Sequence, residues 1–329
     1  MALAAIAVKV VAGRRDELEG ATAILGHLRW AWVALALGAE VSSVVAFAEA
    51  ERRMLAAGDV RVGIWPLTGI AFAGNAIQNS LPGGVAWASV FAFRQFRAQG
   101  ADEVLAAWTM VAVEILSGVS LALIAVAGVA LSGHAAASLN LVGTVVAVLA
   151  VALVVGLVVR RRGDDVPVTV ATWGVRMFRR LARRPAGDAR EVVGRSWARL
   201  TVVTPGRGDW LAGLWWVGVN WMADCACLAI SFRAVGASVP WRSLLLAYGA
   251  AQMAANLPIT PGGLGVVEGS LAIALVAYGN SAASTVAAVL LYRLVSFWAM
   301  LALGWSVWAV LTSGTRRRQT VAVTDEALP

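Results

Sequence analysis

Pro82-Gly83-Gly84 and Pro261-Gly262-Gly263 break two long apolar stretches at positions 179 residues apart, and the same offset carries Gly100 onto Gly279 and Glu114 onto Arg293. Just upstream, at an offset of 177, Asn75 and Asn79 fall onto Gln252 and Asn256. Proline lacks a backbone donor and glycine resists helical order, so each triplet interrupts a helix. Within hydrocarbon, such backbone survives only where protein buries it or water reaches it. An apolar chain duplicated around matched interruptions is the pattern of a transporter built from two structural repeats.

The solvent follows from the rest of the chain. Only 14% of the 329 residues are charged, roughly half the density of a water-soluble domain. The apolar residues come in runs of about 20, long enough to cross a bilayer as helices. Short alternating segments, the mark of outer-membrane strands, are absent. We therefore expect an all-α polytopic membrane protein of about eight transmembrane helices plus two Pro-Gly-Gly broken or re-entrant segments. Cys225 and Cys227 lie within one apolar run and His27 and His134 stand apart, so no disulfide framework, metal site or cofactor is expected.

The net charge of +8 is almost all arginine. Twelve arginines crowd the 160–209 stretch against five acidic residues, and Arg316, Arg317 and Arg318 follow the last apolar run. These clusters flank hydrophobic spans, so the positive-inside rule places both in the cytoplasm, and a nucleic-acid partner is not implied. The chain then divides into a first membrane repeat (1–159), a basic cytoplasmic loop (160–209), a second repeat (210–312) and a cytoplasmic tail (313–329). Residues 14–28 read as an interfacial amphipathic helix. Spans are expected at Trp30 to about Ala50, 64–81, 102–131, 136–159, 210–232, 241–257 and 281–311. Tryptophans near segment ends, notably Trp210, Trp241, Trp305 and Trp308, suit interfacial anchors. The helix holding Glu114 then runs outward and that holding Arg293 inward, so the duplication is read as an inverted repeat.

Each break should expose a fresh helix N-terminus, whose N–H groups and dipole attract anions such as a lipid phosphate. Glu40, Glu114, Asp224, Glu268 and Arg293 are ionisable residues within apolar runs, where a charge costs on the order of 3 kcal/mol and calls for a partner or water. Glu114 and Arg293 occupy equivalent positions, so two-fold symmetry would bring them together. Arg293 would then alternate between a carboxylate and an anionic headgroup, although a static ion pair explains the same residues. Glu268 would compete with substrate or carry a proton, and its counterpart Ser89 makes the two breaks chemically unequal. Asn220 with Asp224, Asn75 with Asn79 and Gln252 with Asn256 lie four apart on shared helix faces, which suits a hydrated groove or interhelical hydrogen bonds. The candidate substrate-binding set is Asn79, Pro82, Gly83, Gly84, Glu114, Asn256, Pro261, Gly262, Gly263, Glu268 and Arg293.

The run from Asn79 to Gly84 with Arg94 and Gly100, then that from Thr260 to Gly269 with Leu291-Tyr292-Arg293, resembles the lysylphosphatidylglycerol synthase transmembrane (flippase-like) family over most of the chain. The resemblance implies a bacterial cytoplasmic-membrane protein that moves a lipid between leaflets. Full-length relatives add a cytoplasmic aminoacyltransferase domain that makes the lysyl lipid. No segment here is long enough for that domain, so a transporter rather than an enzyme is expected. Its lipid would be an anionic phospholipid or a polyprenyl-phosphate lipid. No Walker A pattern points to ATP as the driver. The alternatives are a membrane-embedded enzyme or a non-catalytic partner of an envelope-biosynthesis enzyme.

Overall fold

The computed structural model describes residues 28–81, 83–132, 205–255, 261–277 and 281–325. The expected amphipathic helix, the 136–159 span and nearly all of the basic loop lie outside them. The described residues form α1 (Trp30–Ala56), α2 (Ile64–Ser80), α3 (Gly84–Ala98), α4 (Glu103–Ser132), α5 (Arg207–Ala234), α6 (Trp241–Ala255), α7 (Val266–Ala277), α8 (Ala282–Arg293) and α9 (Met300–Asp325). A single 3₁₀ turn, Pro261–Gly263, precedes α7, and a π-helical stretch, Leu294–Ala299, joins α8 to α9.

Four stretches are long and apolar enough to cross a membrane: Trp30–Ala56, Glu103–Leu131, Arg207–Ala234 and Ala282–Ser313. The protein is therefore a multi-pass, all-helical membrane protein. The segments expected at 64–81 and 241–257 hold shorter helices, α2 with 17 residues and α6 with 15 described residues. Each packs against the short helix after its break. Phe96 near the end of α3 shares a buried cluster with Leu67 and Ile70 near the start of α2, so this pair folds back as a hairpin. The last helix also outruns its expected end at Leu311, continuing to Asp325.

Directions follow from contacts. The Arg29 amide donates to the Ala234 carbonyl at 3.0 Å, Asn220 meets Ser43, and Gly213 lies against Met54. Thus α1 and α5, first members of each half, cross antiparallel along their whole length. Gly128 of α4 abuts Leu246 of α6 while Gly249 of α6 abuts Ala125, another antiparallel pair. Gly304 of α9 abuts Phe72 of α2, and Gly69 of α2 faces Val307, a third. The second helix of each half thus packs on the last helix of the other, and the first helices pack on each other. That exchange, with every pair antiparallel, is the inverted arrangement the duplication implies.

Glycine makes these approaches possible, because apolar side chains gain little by leaving lipid for protein and tight backbone contact has to hold the helices. A Cβ on Gly128 would lie 2.5 Å from the Leu246 amide nitrogen, and one on Gly304 would lie 2.3 Å from the Phe72 carbonyl oxygen. At Gly38 the same atom would meet nothing within 4 Å. Gly128→Ala and Gly304→Ala should each cost about 1–3 kcal/mol by overpacking. Gly38→Ala should be neutral or slightly stabilising, and thermal unfolding of the three variants in one detergent checks the contrast.

Candidate functional site

The first break starts where α2 ends. Leu81 turns extended (φ −105°, ψ 143°), and Gly83 adopts the left-handed region (φ 66°) as N-cap of α3. Gly84 is buried, and a Cβ there would lie 2.0 Å from the Gln78 carbonyl oxygen, so only glycine fits the corner. Pro82 lies outside the described residues. The corner leaves Ser89 of α3 facing inward beside Asn75 and Gln78 of α2, on the wall of a cavity of about 810 Å³.

The opposite walls come from α1, α4 and α5. Glu40, Val44, Phe47 and Glu51 line the cavity from α1 at spacings of four, three and four, a single helix face. Glu114, Ser117 and Gly118 line it from α4, and Asn220 and Asp224 from α5. Asn220 Nδ2 donates to Ser43 Oγ at 2.7 Å, and Trp221 Nε1 to the Ser117 carbonyl and Oγ, both at 3.2 Å, tying α5 to both neighbours. Asp224 is the most fully bonded of the four carboxylates. It accepts from Tyr248 Oη at 2.7 Å, Gln252 Nε2 at 2.7 Å and Tyr292 Oη at 2.8 Å, which draws α6 and α8 onto α5. Four carboxyl groups line this cavity, and among the described residues no arginine, lysine or histidine does.

The second break is built differently. Gly262 and Gly263 take left-handed values (φ 61° and 65°) in the turn before α7, and Gly265 does so at φ 82°. Glu268, in the first turn of α7, accepts the Gly265 amide at 2.7 Å through Oε2. Its Oε1 accepts from Arg293 Nε at 2.7 Å. Arg293 Nη2 donates to the Gly262 carbonyl at 3.0 Å, and the guanidinium lies 4.6 Å from the Phe297 ring centre. Phe297 belongs to the π-helical stretch after Arg293, a register change of the kind that recurs at functional sites. Glu268 and Arg293 thus close the backbone groups that the break sets free.

The expected Glu114–Arg293 contact is corrected. Arg293 is taken by Glu268 and the Gly262 carbonyl, while Glu114 stands on the cavity wall. The reason is the helix exchange: α4 packs against α6, α5 and α1, whereas α8 packs against α5 and α7. The anion that a helix N-terminus invites at the second break is Glu268 of the same chain. The breaks nevertheless meet, as expected of paired interruptions. Asn79, whose Nδ2 donates to Asn75 Oδ1 at 2.6 Å, has its Oδ1 3.1 Å from where a Gly262 Cβ would sit, and α2 packs on the turn Pro261–Gly263. Asn256 lies outside the described residues.

Equivalent positions therefore serve opposite ends. In the second half Glu268 and Arg293 bind each other, and in the first their counterparts Ser89 and Glu114 both face the cavity. Glu51 and Tyr248 escaped the sequence reading. Glu51 falls just beyond the first span, expected to end at about Ala50, and stands beside Arg52 and Arg53 in the sequence. In the structure Glu49 takes both arginines, at 2.5 and 2.9 Å, and Glu51 turns inward. The eleven-residue interval from Glu40, three helical turns, was the signal that puts both on one face.

Removing one partner of a buried ion pair leaves an uncompensated charge, at a cost of about 3–5 kcal/mol. Arg293→Ala should lower thermal stability by that order, and Glu268→Gln with Arg293→Met should recover much of it. A double-mutant cycle read by thermal unfolding gives the coupling.

The lysylphosphatidylglycerol synthase TM region family model matches residues 2–304 of the chain, and the protein belongs to that family. No curated protein matches it.

Proposed function

We propose, taking membership of that family as the premise, that the protein moves a lipid across a bacterial cytoplasmic membrane, with the headgroup passing through the cavity between α1, α3, α4 and α5. The observation that carries the reading is a cavity of about 810 Å³ inside an apolar helical bundle, lined in part by four carboxyl groups and walled on one side by a re-entrant hairpin. A volume of that size accepts a lipid headgroup. Stripping water from the headgroup is the costly step, and Asn75, Ser89, Asn220 and the carboxyl groups replace its hydrogen bonds while the tails stay in lipid. The substrate is a phospholipid or polyprenyl-linked lipid. Because acceptors dominate the lining and no cation among the described residues joins it, its headgroup carries donors, as sugar hydroxyls or amines do.

The inverted halves supply the means of alternating access, one half rocking against the other about the α1–α5 crossing. The basic stretch 160–209 and the C-terminus then face the cytoplasm, with each half forming a membrane repeat.

Purified protein in liposomes tests the reading. Tail-labelled lipid should reach the other leaflet faster than in protein-free vesicles, chemically unchanged. Gly74 of α2 and Gly118 of α4 line the cavity with open space where a Cβ would go. Gly74→Leu and Gly118→Leu should therefore fill it without disturbing the fold, and should cut transport by roughly tenfold or more at unchanged thermal stability. Chemical conversion of the lipid would point to an enzyme. Full transport by both filled variants would remove the cavity from the path.

A further inference from the structure

The lining of the cavity poses a charge problem that its geometry resolves. Glu40 and Glu51 are only 6% and 7% exposed, and one carboxyl oxygen of each has no hydrogen-bond partner. Neither has an ion-pair partner among the described residues. A carboxylate buried without a counter-charge or donors is expelled, or takes a proton and becomes neutral. Both stay at the cavity wall.

The four acids fall into two pairs along α1. Glu40 faces Asp224 and Cys227 of α5, with Tyr292 and Arg293 of α8 also among its neighbours. Glu51 faces Glu114 of α4. From α2 and α3 the cavity presents Asn75, Gln78 and Ser89, which do not titrate. Arg293 is already held by Glu268 and the Gly262 carbonyl, and Arg52 and Arg53 by Glu49. Within each pair the members differ. Asp224 accepts from three hydroxyl and amide donors and Glu114 is open to the cavity, whereas Glu40 and Glu51 each leave one buried carboxyl oxygen without a partner. Among the described residues no three His, Cys, Asp or Glu side chains converge as a metal ion would require. The small cation that fits two separated, dry carboxyl groups is the proton.

We infer that Glu40 and Glu51 are proton-binding sites, loaded and emptied through the cavity, and that their protons are the coupling ions of the lipid movement proposed above, on which the coupling part of the inference rests. The step is a simple transfer: a carboxylate oxygen takes a proton from cavity water and returns it to water when the opposite mouth is open, with no bond in the lipid changed. The link to the second break is short. Tyr292, bonded to Asp224 beside Glu40, immediately precedes Arg293, which holds the Gly262 turn. A change of charge in the Glu40–Asp224 pair thus acts on the end of α8.

Infrared difference spectroscopy on the purified full chain in detergent tests the sites without any lipid. At neutral pH a carbonyl stretching band of protonated carboxyl should appear and shift on exchange into deuterium oxide. Glu40→Gln and Glu51→Gln should each remove part of it, and the double variant should remove it, with thermal unfolding showing that the near-isosteric variants remain folded. No band at neutral pH, or a band intact in the double variant, overturns the assignment. Loss of the band when choline chloride is replaced by sodium chloride overturns it in favour of sodium. For coupling, vesicles holding a pH dye and a tail-labelled phosphatidylglycerol are given a pH gradient of either sign. The wild-type rate should depend on the gradient, and the response should vanish in E40Q and E51Q. A gradient-independent wild-type rate overturns the coupling. A band present with no lipid movement at all supports the carboxyl assignment and overturns the transport reading instead.

Discussion

Inside a bilayer a broken helix has no water to turn to, and that single constraint organises this molecule. Each group freed at Pro261–Gly263 has to find a partner from the chain itself. Arg293 supplies donors to the Gly262 carbonyl, and Glu268 supplies an acceptor to the Gly265 amide. The two then neutralise each other, so the clamp adds no net charge to the apolar interior. Without it the turn would need a hydrated channel around it. With it, the Gly262 carbonyl and the Gly265 amide have partners from the chain itself.

How much of this was legible in the sequence depended on whether a feature was local or required the partner helix. Pro82-Gly83-Gly84 and Pro261-Gly262-Gly263 announced the breaks because the chemistry that stops a helix is written in the triplet. The four-residue spacings of Asn220 with Asp224 and of Asn75 with Asn79 announced shared faces, and three of those residues line the cavity. The antiparallel sense of the halves followed from flanking arginines. The partner of Arg293 did not. Its nearest symmetric candidate was Glu114, and only the exchange of helices between halves shows that α8 packs mainly on α5 and α7, where Glu268 takes Arg293. Hydropathy likewise marked the segments on either side of the first break, but an apolar run does not reveal that α3 folds back along α2.

The unequal breaks also change how the duplication works. In an inverted repeat of identical halves, the two states are mirror exchanges of one conformation. Here the position that is Glu268 in one half is Ser89 in the other, and Arg293 is replaced by Glu114. One break is therefore held by a buried ion pair and the other lies against a cavity with four acids. Symmetry fixes where the helices go, and divergence decides which side is wet.

The consequence is a division of labour along a single polar thread. The cavity reaches Asp224, Asp224 holds Tyr292, and the next residue, Arg293, holds the sealed turn. Asp224 bonds Tyr248 and Gln252 of α6 and Tyr292 of α8, so α5, α6 and α8 cannot shift relative to one another without breaking one of these bonds. A headgroup or a proton that alters the carboxyl groups at the cavity end therefore changes the energy of the very contacts that keep the second break shut. Beside the Asn220–Ser43 and Trp221–Ser117 bonds that tie α5 to α1 and α4, this thread gives the chemistry of the cavity a route by which to select among helix arrangements.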